Sequence, residues 1–363
     1  MAFEFYFLFA MILLLAWANG ANDIAKGVAT LVGNGTAQAR RAVWWGTLWT
    51  VAGGLLAILW GGALIKTFSS GYLSTGFQVD FVFLISAILG AVAWLLVATR
   101  FGLPVSTTHA LLGGVVGAAL VAAGPQGLQL DAVTNKAMLP LLLAPLLAIA
   151  LCATILLLAR YVASRLPAWK QDCCDYEDWQ RNPFVCLPPA KQNSRTQRME
   201  KLWLSLHWLS SGLTSFARGL NDVPKIAAFL ILSLALVPEI AGKLTAPENH
   251  YLPILLITFV MGIGCLWGGM RVLHVMSHRV TTLDSSSGLV ANAGTSMLVL
   301  FASPLGIPVS TTHVSTGSIM GIRWANKLKP SQADALKLIL FGWVVTLPVA
   351  ASVAAISSSL LTP

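Results

Sequence analysis

Charge is scarce in this sequence. Only 10% of its 363 residues are Asp, Glu, Lys or Arg, against roughly 25% in soluble domains. A surface so poor in charge does not keep a chain of this size in water. A soluble enzyme, a disordered chain and a nucleic-acid-binding domain are therefore disfavoured. Acids are scarcer than bases, 14 against 23, for a formal charge of +9. In a chain that is 56% hydrophobic, that excess reads as basic cytoplasmic loops on a membrane protein, with no nucleic-acid partner. Cysteine is sparse as well. The five cysteines have no regular spacing, which excludes a disulfide framework. Cys152 and Cys265 sit in apolar runs, whereas Cys173, Cys174 and Cys186 share one polar stretch. No basic residue precedes the first apolar run, Met1 to Trp17. A cleaved signal peptide needs a positive start, so this run is expected to be a retained helix.

What is abundant is long apolar sequence. A bilayer-spanning helix needs about 20 mostly apolar residues. Apolar segments fall roughly at 3–33, 42–65, 81–99, 103–124, 137–159, 203–240, 251–276, 288–303, 307–322 and 336–360. The polar stretch 160–202, with eight Lys/Arg and five acids, separates a first membrane half, 1–159, from a second, 203–363. Its basic excess places it in the cytoplasm.

The two halves repeat one another. Gly102–Gly117 reads GLPVSTTHALLGGVVG and Gly306–Gly321 reads GIPVSTTHVSTGSIMG, identical at nine of sixteen positions at an offset of 204. NGANDIAKG, starting at Asn19, matches RGLNDVPKIA, starting at Arg218, with the Asn-Asp pairs 199 apart. Two motif pairs in the same order mean internal duplication. The basic clusters at Arg40-Arg41, in the linker, at Arg271/Arg279 and at Arg323/Lys327/Lys329 belong inside. Both termini then lie outside, each half crosses an odd number of times, and the repeats are inverted. This holds whether 81–124 is two crossings or one re-entrant hairpin. The expected fold class is an all-α polytopic membrane protein of two inverted-topology repeats, with re-entrant or broken helices meeting at the midplane.

That architecture belongs to transporters with a site at the midplane. Pro104 and Pro308 stop a helix from running through. Ser106 and Ser310 are good N-caps for the helix that follows. Its free N–H groups and partial positive charge make an anion site. Ser106, Thr107, Thr108, Ser310, Thr311 and Thr312 would bring up to six hydroxyls to a tetrahedral oxyanion. For His109 and His313, a hydrogen bond within the hairpin is the preferred reading over a proton relay. Asp23 and Asp222 are acids inside apolar segments, which usually mark an ion or substrate path. With Asn22 and Asn221 they supply the oxygens a hard cation takes. Lys26 and Lys225, three residues further on, are placed to meet the aspartates on one helix face and to balance their charge. Arg100 is read either as an anion partner or as an edge charge. Asp284 is read as a helix cap. The glycine pairs are read as close helix packing.

The paired Asn-Asp motifs, the paired PVSTTH motifs and the central linker together resemble the inorganic phosphate transporter (PiT) family, over both membrane halves. The resemblance implies a secondary transporter that imports phosphate with sodium or protons. It implies re-entrant hairpins carrying the Ser-Thr-Thr tips and aspartates that serve cation and phosphate binding. It implies inorganic phosphate and membrane lipid as partners, with a homodimer as one candidate assembly. No cofactor or metal is implied beyond the coupling ion, a proton or sodium. Some bacterial members are sulfate permeases, so sulfate is the alternative substrate. The sequence departs from the family pattern at two places. Lys26 and Lys225 replace the final Asn of the common Gly-Ala-Asn-Asp-Val-Ala-Asn signature. An acid expected in the next helix is missing from 42–65, where Trp49 and Thr50 stand near its place. Two lysines beside two aspartates bring the charge that two sodium ions would supply, which favours proton coupling. Phosphate carries an O–H that can donate to a carboxylate and sulfate does not, which favours phosphate.

Overall fold

In the computed structural model, residues 2–165, 194–238, 251–277, 283–326 and 333–362 are described. Most of the linker, with Cys173, Cys174 and Cys186, lies outside them, as do Lys243, Arg279, Lys327 and Lys329. The first half contains α1 (Ala2–Gly33), α2 (Ala39–Trp60), α3 (Gly62–Ser69), α4 (Phe81–Arg100), α5 (Thr107–Ala123) and α6 (Leu139–Arg165). The second contains α7 (Ser194–Ala235), α8 (Tyr251–Gly268), α9 (Met270–Val275), α10 (Ser285–Ala302), α11 (Thr311–Ala325) and α12 (Ala333–Leu361). No strand occurs among the described residues. Eight of the described helices are long and apolar enough to cross a membrane.

The duplication seen in sequence is a duplication in space. Segment 42–65 is not one helix: it breaks at Gly61 into α2 and α3, and α8 and α9 break in the same way at Gly269. α1 and α7 pack antiparallel. Ser211 of α7 donates to the Gly27 carbonyl at 2.7 Å, whereas His207, a turn earlier, meets Thr30, a turn later, at 3.1 Å. α10 runs parallel to α7, since Thr214 meets Asn292 and Ser303 meets Asn221. The hairpins α4–α5 and α10–α11 therefore enter from opposite sides, and their turns meet.

Each hairpin is enclosed by the other half's last helix. α12 packs on α5 and α4, and α6 packs on α11 and α10. Small residues permit this approach. A Cβ added at Gly113 would lie 2.5 Å from the Leu347 carbonyl oxygen, and one at Gly317 would lie 2.6 Å from that of Pro145. The short helices complete the exchange. Thr67 of α3 donates to the Gly306 carbonyl at 3.0 Å, and Arg271 of α9 donates to the Arg100 carbonyl at 3.1 Å. Gly102 and Gly306 turn each hairpin at φ +71° and +70°, a conformation that costs a residue with a Cβ.

Candidate functional site

Ser106 and Ser310 cap α5 and α11 with almost the same backbone angles, φ/ψ −96°/112° and −97°/113°. Each hydroxyl oxygen accepts from the backbone N–H three residues on, His109 at 3.2 Å and His313 at 3.3 Å. The proline before each serine ends the preceding segment, and the serine starts the helix. The N–H groups of Thr107, Thr108, Thr311 and Thr312 precede the first i→i−4 bond of each helix. Both helix N-termini thus point their positive ends at one place.

The two tips are stitched together through two carbonyls. The Val105 carbonyl accepts from Lys26 Nζ at 3.0 Å and from Thr312 Oγ1 at 2.8 Å. The Val309 carbonyl accepts from Lys225 Nζ at 2.9 Å and from Thr108 Oγ1 at 3.2 Å. Each lysine clamps its own half's tip, and each threonine reaches across to the other's. Lys225 also donates to Thr108 Oγ1 at 2.7 Å. The lysines pair with the aspartates as their spacing suggests. Lys26 meets Asp23, and Lys225 lies 3.4 Å from Asp222.

The asparagines hold the tip loops. Asn22 donates to the Leu103 carbonyl at 2.9 Å and to Thr99 at 3.0 Å, and its oxygen accepts from the Val105 N–H at 3.2 Å. Asn221 donates to the Val309 carbonyl at 3.3 Å and to Asp222 at 2.9 Å. All twelve candidate residues are buried together. Their roles divide, because a hydroxyl has one proton to give. Thr108 and Thr312 spend theirs on the opposite tip's carbonyl, and the two serine oxygens cap their helices. Thr107, whose oxygen accepts from Asn19 at 2.9 Å, and Thr311 head the two helices with hydroxyl protons not directed at the opposite tip.

His109 bonds within its own tip, Nδ1 to Ser106 Oγ at 2.9 Å, whereas His313 departs from that expectation: its Nε2 has no hydrogen-bond partner, and its ring lies 4.4 Å from that of His109 and 4.1 Å from that of Trp343. Arg100 is exposed at the end of α4, the edge position of its two readings. Asp284 is the N-cap of α10, accepting from the Ser286 and Ser287 N–H groups at 3.1 Å.

Sequence reasoning passed over Arg218 as a site residue. It is buried, 1% exposed, on the same face of α7 as Asp222 and Lys225. Its Nη2 donates to Thr50 at 2.7 Å and contacts Cys265 Sγ at 3.1 Å. Its Nε and Nη1 have no hydrogen-bond partner. It interacts electrostatically with both Asp23 and Asp222. The signal was available: an arginine four residues before the aspartate, inside an apolar run. By formal charge the site brings together three basic side chains (Lys26, Lys225, Arg218) and two acidic ones (Asp23, Asp222), a count of +1.

Inverted halves, crossed hairpins and two capped helix ends facing one buried spot define a polytopic membrane transporter. Residues 19–354 match the phosphate transporter family, and the chain belongs to that family. A Rhizobium meliloti protein named "Probable low-affinity inorganic phosphate transporter" is 26% identical over 96% of this chain and 94% of its own. The Arabidopsis thaliana protein "Inorganic phosphate transporter 2-1, chloroplastic" is 25% identical over 96% of this chain and 70% of its own. A solved structure titled "The sodium-dependent phosphate transporter" has the same fold, with a TM-score of 0.82, 23% identity and 99% of both chains covered.

Proposed function

We propose that the chain is a symporter that imports inorganic phosphate through the site at the paired tips. The observation that carries this reading is the meeting of two capped helix N-termini at a buried spot of net positive charge. The first-turn amides with the Thr107 and Thr311 hydroxyls supply donors to the anion. Ser106, Ser310, Thr108 and Thr312 hold the tips in register around it. Asp23 and Asp222 each keep an ion pair with a lysine, and Asp222 Oδ2 has no hydrogen-bond partner, so it is available to accept from a phosphate O–H. Sulfate has no proton to give there, and phosphate is preferred over it.

Proton coupling is favoured over sodium coupling on the same charges. Sodium takes carboxylate and carbonyl oxygens. Here Asp23 is paired to an ammonium, Asp222 shares one, and Asn22 Oδ1 accepts from a backbone N–H. Thr50 stands near the place where the family resemblance leads one to expect an acid, and it accepts from Arg218. With a formal +1 among its side chains, the site receives a phosphate monoanion without a metal cation. The basic excess of the linker favours a cytoplasmic linker side, with both termini outside. Radiolabelled phosphate uptake into proteoliposomes tests the reading, with proton and sodium gradients imposed separately and sulfate as competitor. Uptake driven by the proton gradient and indifferent to sodium and sulfate is expected. Uptake driven by sodium alone refutes the coupling, and strong sulfate competition refutes the substrate.

A further inference from the structure

The duplication supplies an internal control for every residue near the site, and on one side of it the two halves differ sharply. Between the linker and Arg218, α7 carries His207, Ser210, Ser211, Thr214 and Ser215, all buried. With Arg218 they fall within an arc of about 140° at 3.6 residues per turn. Thr30 of α1, Asn34 just past its end, and Asn292 and Ser296 of α10 face them. Thr30 Oγ1 meets His207 Nε2 at 3.1 Å and accepts from Asn292 at 3.0 Å. Asn34 donates to Ser285 at 3.0 Å. Thr214 Oγ1 lies 3.0 Å from Ser296 Oγ and donates to the Asn292 carbonyl at 3.1 Å.

At the matching positions of the other half most of the polarity is gone, the exception being Ser233 opposite Asn34. The offset of 199 sets Leu8, Met11, Ile12, Leu15 and Ala16 against the five polar residues of α7, and Phe229 against Thr30. The offset of 204 sets Ile88 and Val92 against Asn292 and Ser296. Leu8, Ile12, Leu15, Ile88, Val92 and Phe229 belong to the main apolar core. Polar side chains do glue membrane helices together. The same helices pack without them on the far side of the site, so packing does not require them here.

We propose that this polar file between α1, α7 and α10 is the path by which phosphate passes between the helix tips and the linker side. It rests on the transport reading above. Neutral hydroxyl, amide and imidazole groups suit an anion, because they donate without holding it as a fixed cation would. Arg218, with two unpartnered guanidinium nitrogens, stands at the head of the file beside the site. In this structure the file is closed, its groups bonded to one another, and passage requires those bonds to exchange for bonds to water and the anion. The basic linker makes this the cytoplasmic route.

The test is accessibility under turnover. Ser210→Cys and Ser211→Cys, each a one-atom change, are placed singly in a transport-active protein whose native cysteines are replaced by Ala or Ser. Each is treated with a membrane-impermeant methanethiosulfonate in vesicles of both orientations. Reaction from the linker side at least tenfold faster than from the other side, slowed by saturating phosphate, is expected. No reaction from either side in a protein that still transports overturns the route, as does equal reaction from both. Reaction slowed by sulfate and not by phosphate keeps the route and retires phosphate as substrate. In parallel, Asn292→Ile installs the other half's residue. Its uptake is expected to fall at least tenfold while phosphate binding in detergent stays within twofold. Unchanged uptake overturns the route.

Discussion

Lys225→Met removes one buried charge and three contacts at once: Thr108 Oγ1 at 2.7 Å, the Val309 carbonyl at 2.9 Å and Asp222 at 3.4 Å. Methionine keeps the stem and the packing. What is left is Asp222, 2% exposed, with Asn221 as its donor. Removing one partner of a buried ion pair costs about 3–5 kcal/mol, most of it from the stranded charge. Asp222→Asn alone strands the lysine in turn. Asp222→Asn added to Lys225→Met removes both charges and should return stability to within about 1 kcal/mol of the sum of lost hydrogen bonds, each worth roughly 0.5–1.5 kcal/mol. The coupling energy of the cycle should reach at least about 2 kcal/mol. Denaturant titration of the purified protein in detergent, followed by tryptophan fluorescence, measures all four corners. Lys26 and Asp23, with Lys26 on the Val105 carbonyl at 3.0 Å, should behave alike. Single substitutions that each cost under about 1 kcal/mol and simply add would refute the reasoning, because the pair would then hold no shared charge.

Other consequences follow from the same geometry. Ser310→Ala removes an N-cap bond and should lower stability by about 1 kcal/mol in the same titration, and Ser106→Ala, which also removes the bond to His109 Nδ1, should cost more. Gly317→Leu drives a side chain into the α6 backbone at Pro145 and should abolish the folded, monodisperse fraction in size-exclusion chromatography, whereas Gly62→Ala meets nothing within 4 Å and should leave it unchanged. Lys26→Asn with Lys225→Asn removes two positive charges and should make phosphate uptake more dependent on sodium. Uptake by that double variant with no response to sodium would end the charge-substitution idea.

Much of this architecture was legible because duplication repeats its own signals. The two PVSTTH segments announced a break, a cap and a helix start, and Ser106 and Ser310 do cap helices. The i, i+3 spacing announced the ion pairs. The break at Gly61 was hidden because no proline marks it. The Lys26 and Lys225 clamps on Val105 and Val309 were hidden because their acceptors are backbone carbonyls, which leave no trace in residue type. The exchange of last helices, α12 around α5 and α6 around α11, depends on tertiary packing that the Gly113 and Gly317 positions permit and do not specify. Arg218 and the polar face of α7 were legible in principle, since their spacing follows one helix face. They diluted the apolar signal of 203–240 and were absorbed into it.

The central claim is that the two joined helix tips bind the anion. Calorimetric titration of inorganic phosphate into the purified protein, beside Thr107→Val, Thr311→Val and the double variant, tests it directly. A hydrogen bond to a charged group is worth about 1.5–3 kcal/mol, so each single variant should bind at least tenfold more weakly and the double variant should show no measurable binding. A double variant that binds phosphate within twofold of the parent would contradict the account.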